Sequence, residues 1–141
     1  MIHQNPKTQK DQILLIKRLR APFQDCMALP GGFVDYNEDP SESCLRELLE
    51  ETNIPGKILA LVGVFGKALR DPRHHCVTTA YLVRPDSLNA EGLVDFKAGD
   101  DAKEAGFYDL DWLLAEGTEI AFDHKEIIAK GYETYKGLPS K

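Results

Sequence analysis

Glu38, Arg46, Glu47, Glu50 and Glu51 fall at fixed offsets around one predicted helix between Gly32 and Ile54. Residues three and four apart share a helix face, so Glu47 neighbours both Glu50 and Glu51. Carboxylates crowded in this way repel and raise one another's pKa unless positive charge intervenes. Mg²⁺, or Mn²⁺ in its place, supplies that charge through oxygen ligands, and a preformed nest for a hard divalent cation suits phosphate chemistry. Arg46 stands four residues from both Glu42 and Glu50, and a pair with either orients the ligands rather than touching a substrate. The alternative is a solvated acidic helix face, which needs neither the glycine nor Glu38 nor Arg46 in register.

Local signals define the helix that must hold these groups. Asp39 can cap its N-terminus, Pro40 suits the first helical position, and Glu42 lies where it completes an acidic capping box. The helix is expected to run from Pro40 to Thr52. Asn53 stands where a left-handed C-terminal residue belongs, and Pro55 prevents continuation. Leu45, Leu48 and Leu49 gather opposite the glutamates and are expected to face a core.

The rest of the chain alternates short apolar runs with turns. Strands are expected at Ile13 to Ile16, Met27 to Leu29, Ile58 to Phe65 (with Gly63 as a bulge), Cys76 to Val83 and Ala105 to Tyr108. Arg84 to Asp101 reads as a loop with an irregular edge near Leu93 to Phe96, and Asp109 to Leu114 as a turn or short helix. Asp123 with Glu126 forms a second capping box, opening a last helix to about Lys136 that Ile127, Ile128 and Tyr135 pack down. Strands mixed with two long helices predict one α/β sandwich domain over residues 1–141.

Composition limits the function classes. Of 141 residues 43% are hydrophobic, enough for one core, and the net charge of −6 argues against a general nucleic-acid or membrane-surface binder. Cys26, Cys44 and Cys76 show no paired spacing, which points to reduced thiols in a cytoplasm, with Cys44 in the core. Cys76 beside His74 and His75 lacks the second ligand pair of a zinc site. The polar stretch Met1 to Gln12 has no signal-peptide core, and no apolar run is long enough for a bilayer.

The central segment resembles the Nudix box, Gly-x5-Glu-x7-Arg-Glu-U-x-Glu-Glu-x-Gly-U with U apolar. Gly32, Glu38, Arg46, Glu47, Leu48, Glu50, Glu51 and Ile54 match, and Asn53 replaces the last glycine. Asn is the next-best residue for a left-handed cap, so the loop geometry is expected to survive. Ala28-Leu29-Pro30-Gly31-Gly32 resembles the family's approach to the box. The resemblance implies an α/β/α sandwich with a mixed β-sheet and a loop–helix–loop motif. It implies metal-dependent hydrolysis of a nucleoside diphosphate linked to another moiety. It assigns Glu47, Glu50 and Glu51 as metal ligands, with the Gly32 carbonyl as a fourth and Glu38 in support or binding a further ion through water. Family members place the general base in the box or on a later loop; Glu47 and Glu104 are the candidates here, with Arg46 beside them. Such proteins start with a strand ahead of Ile13; here it is short, missing or supplied by a partner chain in a homodimer.

Two segments resemble ADP-ribose pyrophosphatases of that family: Gly99 to Ala105 around Glu104, and Arg70-Asp71-Pro72-Arg73. The first reads equally as a charged surface loop. In the second, Arg70 and Arg73 clamp a diphosphate or ribose, or the turn is tied by an internal Arg–Asp pair. Arg18 and Gly31 join them as candidate substrate-binding residues. His74, His75 and Trp112 read as surface or packing residues. The leading expectation is hydrolysis of ADP-ribose to AMP and ribose 5-phosphate. Its rivals are a hydrolase of oxidised nucleoside triphosphates and a non-catalytic ADP-ribose sensor. Sensors carry a further DNA-binding domain and a degraded box; this sequence ends at Lys141 and keeps every box carboxylate, so catalysis is expected.

Overall fold

Ile13, Leu14, Leu15 and Ile16 are all buried, although successive side chains of a strand point to opposite faces. A strand with four consecutive apolar residues must therefore be covered on both sides. A computed structural model, describing residues 1–99, 102–115 and 118–139, shows that cover. The strand is β2 (Asp11–Arg18). Ile13 and Leu15 join Ile128 and Tyr135 of α3 (His124–Lys136) in one core cluster, and Leu14 joins Leu48 of α1 (Pro40–Thr52) in another. The result is a helix–sheet–helix sandwich. Burying each such Leu or Ile contributes ~1.5–3 kcal/mol, against ~0–1 kcal/mol for an exposed ion pair, so packing rather than surface charge fixes where α1 sits.

β1 (Ile2–Gln4) and β3 (Met27–Ala28) pair antiparallel with successive parts of β2, and β6 (Ala102–Asp109) pairs with it from Gln12 to Arg18. The strand ahead of Ile13 is thus short, and the chain supplies it itself. β4 (Gly56–Phe65) and β5 (Thr78–Pro85) form a separate antiparallel pair, with a register shift between Leu61 and Gly63 at the expected bulge. Among the described residues the parallel part of the sheet is confined to one bridge, Met27 to Ile120. α2 (Leu110–Ala115) buries Leu110 and Leu113 completely. Among the described residues no helix is long and apolar enough to cross a membrane.

Several expectations change. Leu49 is 48% exposed, because only Leu48 of that pair points at β2. Trp112 is 48% exposed on α2, the surface alternative of its two readings. Asp39 caps α1 by accepting from Ser41 N and Oγ at 2.9 and 2.7 Å, and Glu42 makes no return bond among the described residues. Asp123 sits at the start of α3 but makes no side-chain cap bond, because its carboxylate is taken by Arg70. No strand forms at Leu93 to Phe96. That segment runs past the C-terminus of α1 instead: Lys97 N–H donates to Thr52 O and Gly99 N–H to Glu51 O. Asp100 and Asp101, the end of the expected loop, lie outside the described residues.

Candidate active site

α1 ends as its sequence requires. Asn53 is left-handed (φ 59°, ψ 23°) and its N–H returns to Leu49 O. Its side chain also donates to Lys97 O at 2.8 Å, a tie that a glycine here would not supply. Gly99 packs so closely on this end that an added Cβ would collide with the Glu50 carbonyl oxygen. The carboxylate-bearing helix is thus clamped at its far end by a distant segment.

At the near side Arg46 organises the acids. It grips Glu38 with Nε and Nη2 at 2.6 and 2.9 Å, reaches Glu47 Oε1 at 2.8 Å and Glu50 Oε2 at 3.2 Å, and donates to Phe33 O at 3.3 Å. Hydrogen bonding to Arg46 holds Glu38 down to about 2, and in return Glu38 first, then Glu47, raises the guanidinium further above its ordinary value. The expected Glu42 pair does not form among the described residues. Glu38 is Arg46's bidentate partner, bracing the loop before the helix.

The Gly31–Gly32 turn lies on Glu47 and Glu51. Gly31 N–H donates to Glu51 Oε1 at 2.9 Å, and the Glu51 residue is 5% exposed. A Cβ on Gly32 would stand 2.5 Å from the Glu47 carboxyl carbon, so only glycine permits this approach. Gly32→Ala is expected to leave stability almost unchanged, because the end of a flexible side chain gives way. It should lower kcat by about 10- to 100-fold, because a displacement near 1 Å is enough to misplace a reacting group. Steady-state kinetics beside a thermal melt check both halves.

Glu47, Glu51, Gly31 and Gly32 line a cleft of about 810 Å³, within the range of ligand sites. Arg18, Arg73, Phe122 and His124 line it too. The Arg18 and Arg73 guanidinium carbons lie 4.9 and 5.6 Å from the Phe122 ring centroid. Burial, then the charge of Arg73, lowers the Arg18 pKa. Phe122 holds this place with a left-handed backbone (φ 55°), uncommon away from glycine and a feature that clusters at functional sites. His124 accepts from Leu29 N–H through Nδ1 at 3.0 Å, and burial lowers its pKa to about 4. Neither Phe122 nor His124 carries a local sequence signal; both reach the cleft only because α3 starts beside β3.

The other nominated residues are placed differently. Arg70 is 5% exposed at its side chain and spends its donors on Asp123 at 2.6 and 2.9 Å, on Thr78 Oγ1 at 2.7 Å and on Cys76 O. Arg73 both binds Asp71, at 2.7 and 3.0 Å, and keeps a 39% exposed side chain at the cleft, so the internal tie and the cleft position coexist. Glu104 is exposed within β6, opposite Lys17, and does not line the cleft; the strand begins at Ala102, earlier than expected, because it pairs with β2. Glu50 is paired with Arg46, does not line the cleft, and has a 46% exposed side chain.

The donor set bears on a metal. Among the described residues no three His, Cys, Asp or Glu side chains already converge as a cage. Glu38, Glu47 and Glu50 nonetheless share one guanidinium, and Glu51 adds a carboxylate in the same cleft. This all-oxygen, acid-rich set fits a hard divalent cation in type and sign.

A family model described as NUDIX domain matches residues 3–130. The chain belongs to the NUDIX family. Nudix hydrolases generally use divalent cations. The chain is 45% identical over 129 residues to an ADP-ribose pyrophosphatase of Methanocaldococcus jannaschii, spanning 91% of this chain and 70% of that protein. It is 35% identical over 126 residues to the ADPR responsive transcriptional repressor NtrR of Acinetobacter baylyi, spanning 86% of this chain but 46% of the repressor. Among solved structures, the NUDIX domain of Shewanella oneidensis NrtR complexed with ADP ribose is similar with a TM-score of 0.77 at 26% identity, covering 91% of this chain and 80% of that one. Glu47 and Glu51 of the Nudix box are therefore the acidic wall of a cleft that Arg18 and Arg73 also line.

Proposed function

We propose that this Nudix protein hydrolyses ADP-ribose to AMP and ribose 5-phosphate, with Mg²⁺ as its cation and Mn²⁺ able to substitute. One observation carries the reading: a single cleft joins Glu47 and Glu51 beneath a glycine turn to Arg18 and Arg73 about an aromatic ring. A diphosphate presents negative oxygens to the arginines, and the acids accept the cation that accompanies it. The 45% identical pyrophosphatase and the ADP-ribose complex of the NrtR domain support the choice of substrate.

The roles follow from position. Arg18 and Arg73 bind diphosphate oxygens. Glu47 and Glu51 would hold the cation, with Glu50 a further ligand tied to Glu47 through Arg46, and the Gly31–Gly32 turn keeps Glu47 and Glu51 in place. When bound, the cation neutralises the anhydride and makes water more acidic. Water attacks a phosphorus atom, the bridging P–O bond breaks, and Glu47 receives the water's proton; Glu104, away from the cleft, is the weaker candidate for this step. Arg46 orients Glu47. The net charge of −6 supports a small anionic substrate over nucleic acid, and three free cysteines support a reducing, cytoplasmic setting. A homodimer is compatible with this assignment.

A panel of nucleotides assayed with Mg²⁺ and with Mn²⁺, products separated by chromatography, tests the reading. AMP and ribose 5-phosphate are expected from ADP-ribose. ADP-ribose that binds and stays intact would instead indicate a sensor. In the same panel Arg73→Ala is expected to cut kcat/KM for ADP-ribose by about tenfold, the scale of one charge-assisted hydrogen bond, and to affect a nucleoside triphosphate less. Equal loss on both removes Arg73 from substrate choice.

A further inference from the structure

His124 leaves one polar hydrogen unspent. Its Nδ1 accepts from Leu29 N–H, so Nδ1 is unprotonated and the neutral ring carries its hydrogen on Nε2. Among the described residues nothing accepts from Nε2. No buried side-chain nitrogen or oxygen there lacks a partner, so Nε2 is open to solvent. The imidazole lines the cleft, and the Phe122 ring, 5.3 Å away between centroids, helps to fix its plane. A donor whose tautomer is set by backbone, on a ring that lines the cleft with Arg18 and Arg73, is placed to meet an oxygen acceptor.

We infer that His124 is a substrate-positioning residue: Nδ1 anchors the segment entering the Pro30-Gly31-Gly32 turn, while Nε2–H donates to an oxygen of the bound nucleotide, on its phosphate or its sugar. This rests on the nucleotide cleft proposed above. The same side chain thereby couples the acidic wall to the ligand. Burial keeps the ring neutral at working pH, so the donor does not become a cation that would compete with the metal.

Imidazole ¹⁵N–¹H spectra of the intact wild-type protein test this without any variant. The spectrum is expected to show Nε2 protonated and Nδ1 bare, and the Nε2–H signal should move on titration with AMP or with ribose 5-phosphate, the responding product naming the half of the substrate. Two substitutions separate the two nitrogens. His124→Asn keeps an acceptor for Leu29 but removes the cleft donor; KM for ADP-ribose should rise about fivefold, the scale of one neutral hydrogen bond, with kcat and Tm near wild type. His124→Gln keeps a donor near the Nε2 position but strands the Leu29 N–H; Tm should fall, with a smaller rise in KM. An imidazole signal unmoved by a product that calorimetry shows to be bound, or an unchanged KM in His124→Asn, overturns the inference and leaves the proposed activity standing. A wild type that binds neither product and cleaves no ADP-ribose overturns the activity, and this inference with it.

Discussion

Glu51→Gln is expected to lower kcat on ADP-ribose by roughly 10²–10³-fold, the range seen when one fixed electrostatic contact to a transition state is removed. The substitution is nearly isosteric. Glutamine still offers a carbonyl oxygen to the Gly31 N–H that Glu51 Oε1 accepts at 2.9 Å, so the glycine turn should stay in place. What disappears is a negative charge on a residue 5% exposed in the acidic wall of the cleft. Tm should therefore remain within about 4 °C of wild type, since roughly 1 kcal/mol corresponds to a shift of that order in a domain of this size. Kinetics at saturating Mg²⁺ with a parallel melt separates lost chemistry from lost fold. Calorimetry should show weaker Mg²⁺ binding in the variant. Wild-type turnover would remove Glu51 from the ligand set.

Arg70→Ala is expected to act on the fold instead, costing about 3 kcal/mol, the lower end of what breaking a buried ion pair costs. The Arg70 side chain is 5% exposed, and it satisfies both oxygens of Asp123, whose side chain is 20% exposed at the start of α3. Arg70 is the main cause that lowers the Asp123 pKa. Removing it takes both guanidinium bonds from that largely covered carboxylate, and also frees Thr78 Oγ1. Some of the loss is offset because a negative charge at a helix N-terminus is favourable. Urea unfolding should show the loss as a lower midpoint with an unchanged slope. If Arg70 were a diphosphate clamp, KM would rise while the midpoint stayed put. Arg70 and Arg73 sit three residues apart in one motif and both border the cleft, yet Arg70 is buried with its donors spent on the scaffold while Arg73 stays exposed.

That split shows how far local reading carries. The box helix was legible because its signals are short-range: Asp39 caps it, Pro40 starts it, and Asn53 ends it in the left-handed region, all within one or two turns of their effect. The strand at Ile13 to Ile16 was legible because apolar residues in an unbroken run demand cover on both faces. Glu104 reads as a loop residue from local sequence, yet it lies within β6 because the length of that strand is set by its pairing with β2, distant in sequence. Asp123 reads as a cap because Asp before a helix usually is one. Its carboxylate went to Arg70, 53 residues away, since two bonds to a guanidinium outweigh one to a backbone N–H.

The sequence by itself determined the acids and the helix that carries them, because the spacing of charges along a helix is a local property. Only the tertiary structure decided what faces them. Arg18 from the end of β2, Arg73 from the loop before β5, and Phe122 and His124 from the start of α3 meet across one cleft. Their meeting depends on how three core clusters pack β2 between α1 and α3, a many-body outcome that no short window of residues encodes.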